Sequence, residues 1–294
     1  MGELGVDVVY NADQTPVYFE HIPTKTTEAK GTQTMWGRSG GKTKERVTCM
    51  LLGDSFGNKY QSFLIFKTTT PLKKETAAEN NAKRYGFGKR PWIKMCDLQS
   101  TLGVQIYANA TAWWNAEMSV RFLEYHFGER HERQVSRILL LWDDFSAQWS
   151  ERVRICAEEL GVVLMRVPPD CTSVCQPADM LWNAPLKQSP RVRWAGMLHQ
   201  QLYSHSNGGG SRKLVPPTRD DVVEWLAENW QELSIARISN GFSPTLKEEE
   251  LSETMQTSYN NLASRLQDIN LLDGDVGIVS DSSDVVDSIL ESNR

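Results

Sequence analysis

Short apolar runs recur along the chain at lengths that are typical of β-strands. Residues 46–52 and 61–66 are two such runs on either side of a turn-forming segment that begins at Gly53, so we expect a β-hairpin here. Residues 138–142 and 162–167 are apolar almost without interruption, which is the pattern of strands buried on both faces. The other predicted strands are residues 8–10, 15–19 and 104–108.

Apolar residues at helical spacing lie between and after the later strands. Residues 114–127 place Met118, Phe122 and Tyr125 on one side of a predicted helix. Further helices are predicted at residues 149–160, from about Pro177, and at residues 219–238. A meander of strands followed by strands that alternate with helices favours the α/β class, with a mixed sheet and helices on both of its faces.

The composition is that of an ordinary globular chain, with 40% hydrophobic and 23% charged residues among 294. No run of 18 or more apolar residues is present, so we expect no membrane-spanning segment. The charge is unevenly distributed, because residues 241–294 carry 11 acidic and 3 basic residues whereas residues 1–240 carry 26 and 29. The last part of the chain is therefore predicted to be an acidic, solvated tail.

One segment of the chain is strongly basic. Eight lysine and arginine residues lie between Lys67 and Lys94, interleaved with Tyr85, Phe87 and Trp92. The segment lacks clean periodicity, so we expect an exposed insertion that holds DNA phosphates and stacks on bases. A solvated insertion without a ligand is the alternative, and the sequence does not decide between the two. The candidate nucleic-acid-binding residues are Lys42, Lys73, Lys74, Lys83, Arg84, Lys89 and Arg90.

Three aspartates are placed where a sheet of this class presents functional side chains. Asp13 lies in the first extended segment, Asp143 follows the buried strand at 138–142, and Asp179 falls in the first turn of the helix after Pro177. Carboxylates that converge from three such places suit hard divalent ions such as Mg²⁺, which favour oxygen ligands. The chain has 37 acidic residues, so spacing alone favours surface or capping roles for any three of them.

Three sequence blocks surround these aspartates. The first, Asn11-Ala12-Asp13-Gln14-Thr15-Pro16, is similar to the pattern N-x-D-E-T-P, and the second is the apolar strand that ends in Trp142-Asp143-Asp144. The third, residues 168–179 with the letters PPDCTSVCQPAD, is close to P-P-x-x-T-S-x-x-Q-P-x-D, and Asn183 and Pro185 continue it. Together the blocks resemble the DDE-superfamily transposases of the pogo/Tigger type. The resemblance covers about residues 8–245, and the 35 residues between Asp143 and Asp179 are close to the spacing in that superfamily.

The resemblance implies an RNase H-like fold over residues 1–245, with a mixed five-stranded sheet and helices on both faces. Residues 67–100 would form an insertion, and residues 246–294 a helical segment and then a disordered acidic tail. Asp13, Asp143 and Asp179 are implied as catalytic residues that hold two Mg²⁺ or Mn²⁺ ions. One ion would activate water or a DNA 3′-hydroxyl, and the other would stabilise the leaving 3′-oxygen. Asp144 and Asn183 are expected beside these ligands, and Asp144 stays open as an alternative to Asp143.

The same resemblance implies the partners of the protein. DNA is the implied substrate, the nucleus is the implied location, and a homodimer is compatible with the family. Neither a membrane nor a small-molecule cofactor is expected as a partner.

Departures from the family pattern leave other functions open. Gln14 stands where the family commonly has an acidic residue, and Gln148 stands where it often has a histidine. Family members also carry helix-turn-helix domains before the first catalytic strand, and this chain begins almost at that strand. The leading interpretation is a metal-dependent DNA endonuclease that performs phosphodiester hydrolysis and strand transfer. The first alternative is a domesticated or decayed transposase-derived protein that binds DNA or protein without cleavage, and the second is an RNase H-like hydrolase unrelated to transposition.

Overall fold

A computed structural model of the chain describes residues 6–20, 41–129, 137–167, 175–206 and 214–243. Except for Ser243, these residues all belong to one compact unit. The predicted tail at 246–294 and residues 168–174 of the third sequence block lie outside the described residues.

The architecture is a mixed sheet of six strands. The strands are β1 (Val6–Tyr18), β2 (Arg46–Asp54), β3 (Phe63–Lys67), β4 (Gln105–Asn109), β5 (Arg137–Trp142) and β6 (Val162–Arg166). Their order across the sheet is β4-β3-β2-β1-β5-β6. The first three strands form the antiparallel meander, β5 runs parallel to β1, and β6 runs parallel to β5.

The predicted count of five strands is wrong, because β4 adds a sixth strand parallel to β3 at one edge. The predicted mixed α/β architecture is confirmed.

The helices surround the sheet. They are α1 (Lys74–Arg84), α2 (Lys89–Leu102), α3 (Ala116–Phe127), α4 (Glu151–Glu159), α5 (Asn183–Ser206), α6 (Arg219–Glu232) and α7 (Ile235–Asn240). A π-helical turn, Ala178–Trp182, leads directly into α5. No helix within the described ranges is both long and apolar enough to cross a membrane.

One prediction about these helices is wrong, and one segment without clean periodicity is helical. The segment at 67–100 contains α1 and most of α2, whose ends are set by left-handed residues at Tyr85 and Gly103. The single helix predicted at 219–238 divides at Leu233, which has an extended backbone, so α6 and α7 are separate. A capping box between Thr218 and Asp221 fixes the start of α6.

The first strand is continuous from Val6 to Tyr18, whereas the sequence predicted two extended segments, 8–10 and 15–19, on either side of the polar residues 11–14. The strand stays extended there because β2 pairs with it throughout, from Tyr10 opposite Asp54 to Tyr18 opposite Arg46. Asp13 therefore lies in the middle of a strand, opposite Leu51, and its predicted place in the first extended segment is confirmed.

Hydrophobic cores cover both faces of the sheet, as the alternation of side chains along its strands requires. On β5, Leu139 and Leu141 pack on the face that α6 and the residues around Trp182 cover. Leu140 and Trp142 pack on the opposite face, with α3 and α4. The prediction of helices on both faces is confirmed, and Asp13 belongs to the face that carries Trp182, since Ala12 belongs to the other.

Candidate active site

The first candidate carboxylate, Asp13, is buried inside the sheet at only 4% exposure. Its Oδ2 atom accepts a hydrogen bond of 2.6 Å from the side-chain amide of Asn183. Burial raises the pKa of Asp13 well above its usual value, and the negative charges of Asp179 and then Asp143 raise it further. The hydrogen bonds from Asn183 and from the backbone of Gln14 act in the opposite direction. The charge on Asp13 is therefore only partly compensated.

The second, Asp179, lies in the π-helical turn that precedes α5. The same amide nitrogen of Asn183 that contacts Asp13 also donates to Asp179 Oδ1, at 2.8 Å. The turn sits close to the sheet because Gly53 of β2 has no side chain: a Cβ atom there would lie 2.9 Å from the Trp182 ring. Asn183 thus bridges a strand carboxylate and a helix carboxylate.

The third, Asp143, comes directly after β5. Its backbone carbonyl accepts a 2.7 Å hydrogen bond from the indole of Trp149, which holds the chain in place at the strand end. Its Oδ1 atom is buried and has no hydrogen-bond partner. Burial raises the pKa of Asp143 to about 6, and the charges of Asp179 and Asp144 add to this effect. The Gln148 amide is near enough to lower the pKa, although no hydrogen bond of normal geometry joins the two side chains.

The neighbouring Asp144 is differently placed. It is exposed, and its Oδ1 atom pairs with the guanidinium of Arg166 at 2.8 Å. The same guanidinium lies 4.5 Å above the ring of Trp149. Asp144 is therefore committed to a surface ion pair, whereas Asp143 interacts with the other two carboxylates.

The donors of this site are all of the kind that a hard divalent cation prefers. Among the described residues, no three His, Cys, Asp or Glu side chains are gathered tightly enough to hold a metal ion as they stand. The chemistry nevertheless fits a cation, since Asp143 keeps a buried oxygen without a partner and the carboxylates repel one another. The unpartnered Asn183 Oδ1, also buried, is a further oxygen donor at the same place.

Sequence reasoning gave no role to Asn11, which is fully buried in β1. Its amide nitrogen donates to the Leu141 carbonyl at 3.1 Å, and its Oδ1 accepts from the Ala178 backbone at 3.0 Å. A second amide, that of Gln176, donates to the carbonyl of Ala12 at 3.3 Å. The available signal was an asparagine directly after the apolar residues Val8, Val9 and Tyr10 of a predicted strand, because a buried amide needs partners.

The predicted nucleic-acid-binding residues do not form one set. Lys73, Lys74, Lys89 and Arg90 are exposed near the first residues of α1 and α2. Arg84 is 8% exposed, donates to Asn80 Oδ1 and pairs with Glu79, so it stabilises α1.

The two remaining residues of that set are also engaged in contacts. Lys83 pairs with Glu79 at 3.9 Å. Lys42 pairs with Glu45 at 3.5 Å, donates to the Pro217 carbonyl and lies 5.0 Å from the Phe19 ring centre.

The aromatic residues of the same segment are not a free stacking surface. Phe87 is fully buried in the core, and its ring stacks with Trp92 at 6.1 Å between centroids. Tyr85 meets Trp92 edge to face and also contacts Tyr107 of β4. Phe87 is therefore not available to stack on bases. Tyr85 and Trp92 help to attach α1 and α2 to the edge of the sheet, and base stacking by these two half-buried rings stays a prediction.

Comparison with known proteins places this site in a family. Residues 44–242 match the family described as DDE superfamily endonuclease, a range that includes Asp143 and Asp179 and follows Asp13. "Pogo transposable element with KRAB domain" from Mus musculus is 25% identical over 234 residues, which are 79% of this chain and 34% of that protein. Its namesake from Homo sapiens is 24% identical over 247 residues, 82% of this chain and 36% of that protein. The chain thus spans about a third of the length of these curated relatives.

One solved structure is similar in outline. It is described as "Mos1 transposase paired-end complex with left transposon end", and it is 11% identical with a TM-score of 0.45, covering 81% of this chain and 52% of that one. The family match, which spans more than half of the chain, confirms the resemblance: this chain belongs to the DDE superfamily endonucleases.

Proposed function

We propose that this domain is a divalent-cation-dependent phosphodiesterase acting on DNA, with Asp13, Asp143 and Asp179 as its metal ligands. The observation that carries the proposal is the shared amide of Asn183, which bridges Asp13 and Asp179 at 2.6 and 2.8 Å. Burying carboxylates of like charge side by side is costly for a protein that has no use for them. A site of this kind is stabilised when a cation neutralises it.

Mg²⁺ or Mn²⁺ fits the donor set better than a softer metal, since the three side chains offer only carboxylate oxygens. A cation held there supplies Lewis acidity: it lowers the pKa of a bound water and compensates the charge on the leaving oxygen of a phosphodiester. Two ions, as the family resemblance implies, would divide these tasks. The same chemistry becomes strand transfer when a DNA 3′-hydroxyl replaces the water.

The roles of the chain's own residues follow from their contacts. Asp13 and Asp179 face each other across the Asn183 amide, which holds them together before a cation is present. Asp143 contributes from the end of β5, where Trp149 fixes its backbone. Asp144 is assigned no metal, because its oxygen is paired with Arg166. The proposal therefore takes Asp143, and not Asp144, as the ligand from the end of β5.

DNA as substrate is supported by cations placed near the same strand ends. Arg166 closes β6, and its side chain keeps 50% exposure while it pairs with Asp144. Arg46 begins β2 opposite Tyr18, beyond Asp13, and lies 4.2 Å from the ring of Trp113, which is 52% exposed. Guanidinium groups on aromatic rings suit a nucleic acid, because they offer both charge for phosphate and a flat surface for bases. Such a substrate agrees with a nuclear location.

The test is a nicking assay on supercoiled plasmid DNA, with Mg²⁺ or Mn²⁺ as the added cation. The proposal predicts single-strand nicks with the wild-type chain, none with Asp143→Asn or Asp179→Asn, and nicks that persist with Asp144→Asn. Asp144→Asn is the matched control, because it removes an adjacent carboxylate that is already paired. Nicking that survives in Asp143→Asn and Asp179→Asn would contradict the assignment.

The same experiment distinguishes the binding-only alternative if the amount of plasmid bound by the protein is measured alongside cleavage. One observation favours it: the carboxylates do not yet form a tight metal cage among the described residues. DNA retention with no nicks at any cation concentration would replace the nuclease by a DNA-binding, transposase-derived domain.

A further inference from the structure

We infer that Asn11 is a positioning residue that sets the spacing of the three carboxylates by joining the three elements that carry them. The inference rests on the proposed function, because it concerns the same metal site. Asn11 is not a ligand in this account: it acts on the site through the backbone.

The Asn11 amide makes hydrogen bonds to two backbone segments outside β1. Asn11 lies on β1, two residues before Asp13. Its Nδ2 atom donates to the carbonyl of Leu141 on β5, two residues before Asp143, at 3.1 Å. Its Oδ1 atom accepts from the backbone nitrogen of Ala178, the residue before Asp179, at 3.0 Å. One side chain therefore links the three backbone segments that present the carboxylates.

Both hydrogen bonds of Asn11 join groups that are buried from solvent. Asn11 has no measurable exposure, and Ala178 likewise has none. A buried hydrogen bond that is lost leaves an unsatisfied backbone group, at a cost of about 1–3 kcal/mol. The two bonds of Asn11 are therefore strongly favoured. The backbone ladder already sets β5 beside β1 as far as Asn11 opposite Leu141. The Asn11 side chain adds the link from these paired strands to the π-helical turn.

The chemistry of the position demands asparagine. The side chain must donate to a carbonyl on one side and accept from an N–H on the other, and asparagine does both from one short planar group. Aspartate could accept from Ala178 but would place a charge against the Leu141 carbonyl. Serine is too short to reach both partners at once, and alanine makes neither bond.

The other contacts near the site do not replace this link. Asn183 joins Asp13 to Asp179 through their side chains, and Gln176 joins Ala12 to the turn, but neither of these hydrogen bonds reaches β5. Within the part of the chain that the structure describes, the Asn11 side chain bonds both to β5 and to the π-helical turn. Because the ladder holds β5 beside β1, we expect its loss to change mainly the distance from Asp179 to Asp143.

The experiment measures Mn²⁺ binding by isothermal titration calorimetry, together with the melting temperature of each variant without metal. The variants are Asn11→Ala and Asn11→Ser, and the control is Asn80→Ala. Asn80 is also a buried asparagine, whose Oδ1 accepts two hydrogen bonds from Arg84 inside α1, away from the carboxylates. The control therefore reports what losing a buried amide does to stability alone.

We expect all three variants to melt at a lower temperature than the wild type. Only the Asn11 variants should bind Mn²⁺ more weakly, by roughly 10- to 100-fold, as is typical when a group that orients metal ligands is removed. Asn11→Ser, which can keep one of the two bonds, should lose less affinity than Asn11→Ala. It also keeps the experiment decisive if Asn11→Ala fails to fold.

Two results would overturn the inference, and only the second of them would also remove the proposed metal site. Equal Mn²⁺ affinity in the wild type and a folded Asn11 variant would remove the positioning role and leave the metal site standing. The absence of Mn²⁺ binding by the wild-type chain would remove both the metal site and the role of Asn11.

Discussion

The side-chain nitrogen of Asn183 lies 2.6 Å from the Oδ2 atom of Asp13, on a different element of the fold and 170 residues away in sequence. The same nitrogen is 2.8 Å from Asp179, so one neutral amide separates two carboxylates that repel each other. The carboxylates are therefore held together before a cation binds. Their repulsion lowers the free energy of unfolding, and this effect can be measured in variants.

Asp13→Asn should stabilise the folded chain at neutral pH, although it removes a side chain from the centre of the sheet. The substitution keeps the shape and removes a buried charge that Asp179 and Asp143 oppose. We expect a gain of about 1–3 kcal/mol in the free energy of unfolding, the range for removing an uncompensated buried polar group. Urea unfolding of both proteins at pH 7 measures it.

The pH dependence of that gain has a definite sign. The pKa of Asp13 is raised in the folded state, so its contribution favours folding at low pH and is lost as the pH rises through the folded-state pKa. The advantage of Asp13→Asn should therefore disappear below about pH 4, where the unfolded carboxyl is protonated too.

A matched control for this prediction is Asp54→Asn. Asp54 is as buried as Asp13, yet its carboxylate accepts hydrogen bonds from Phe56, Asn58 and Tyr60. That substitution should destabilise the chain, and a stabilising effect in both variants would show that the gain at Asp13 is unrelated to repulsion.

Arg166→Gln should weaken DNA binding with little effect on folding. An ion pair as exposed as that of Arg166 with Asp144 contributes about 0–1 kcal/mol to stability. If Arg166 contacts a phosphate, the slope of log affinity against log salt should fall by about 1. Fluorescence anisotropy on a labelled duplex across a salt series measures the slope. Arg193→Gln, which breaks the pair with Glu228 on α5 and α6, should leave it unchanged.

Much of the site was predictable because it depends on local pattern. A buried strand ending in Asp143 and a helix beginning after Pro177 are visible in the apolar run and in the proline. The continuity of β1 was not, because the polar residues Asn11 and Asp13 favour a turn unless neighbouring elements bury and pair them. The bridge made by Asn183 joins residues that are far apart in sequence, so no local pattern reveals it.

The basic segment at 67–94 shows that composition alone did not predict which side chains are buried. Its composition predicted a DNA-binding insertion, but charge says nothing about which side chains a helix turns inward. Arg84 is turned inward because Asn80 lies one helical turn before it and accepts from it twice. The residues of that segment that stay exposed remain a prediction for DNA binding.

Arg84→Ala and Lys74→Ala should therefore separate stability from DNA binding. Removing Arg84 leaves the buried oxygen of Asn80 without its donor and should cost about 1–3 kcal/mol. Removing the exposed Lys74 should leave the melting temperature unchanged and reduce affinity for duplex DNA at low salt. Equal effects of the two substitutions on the melting temperature would contradict the assignment of Arg84 to the fold.

His126 should make the chain sensitive to acid. Burial among aromatic rings, including Phe63 and Phe122, lowers its pKa from 6.5 to about 3. Stability is then complete above pH 6.5 and is lost as the pH falls toward 3, by at most about 1.4 kcal/mol for each pH unit. His126→Leu should flatten the unfolding free energy over this range. A slope that persists unchanged would assign the acid sensitivity to other groups.

The central claim is that Asp13, Asp143 and Asp179 form one divalent-cation site, and Mn²⁺ binding tests it most directly. Electron paramagnetic resonance of free Mn²⁺ titrated with the wild type, Asp13→Asn and Asp144→Asn gives the three affinities. The account predicts binding by the wild type and by Asp144→Asn, and its loss in Asp13→Asn, which cannot be attributed to unfolding because that variant is expected to be the more stable one. Wild-type binding that Asp13→Asn leaves intact, or that Asp144→Asn abolishes, would contradict the claim.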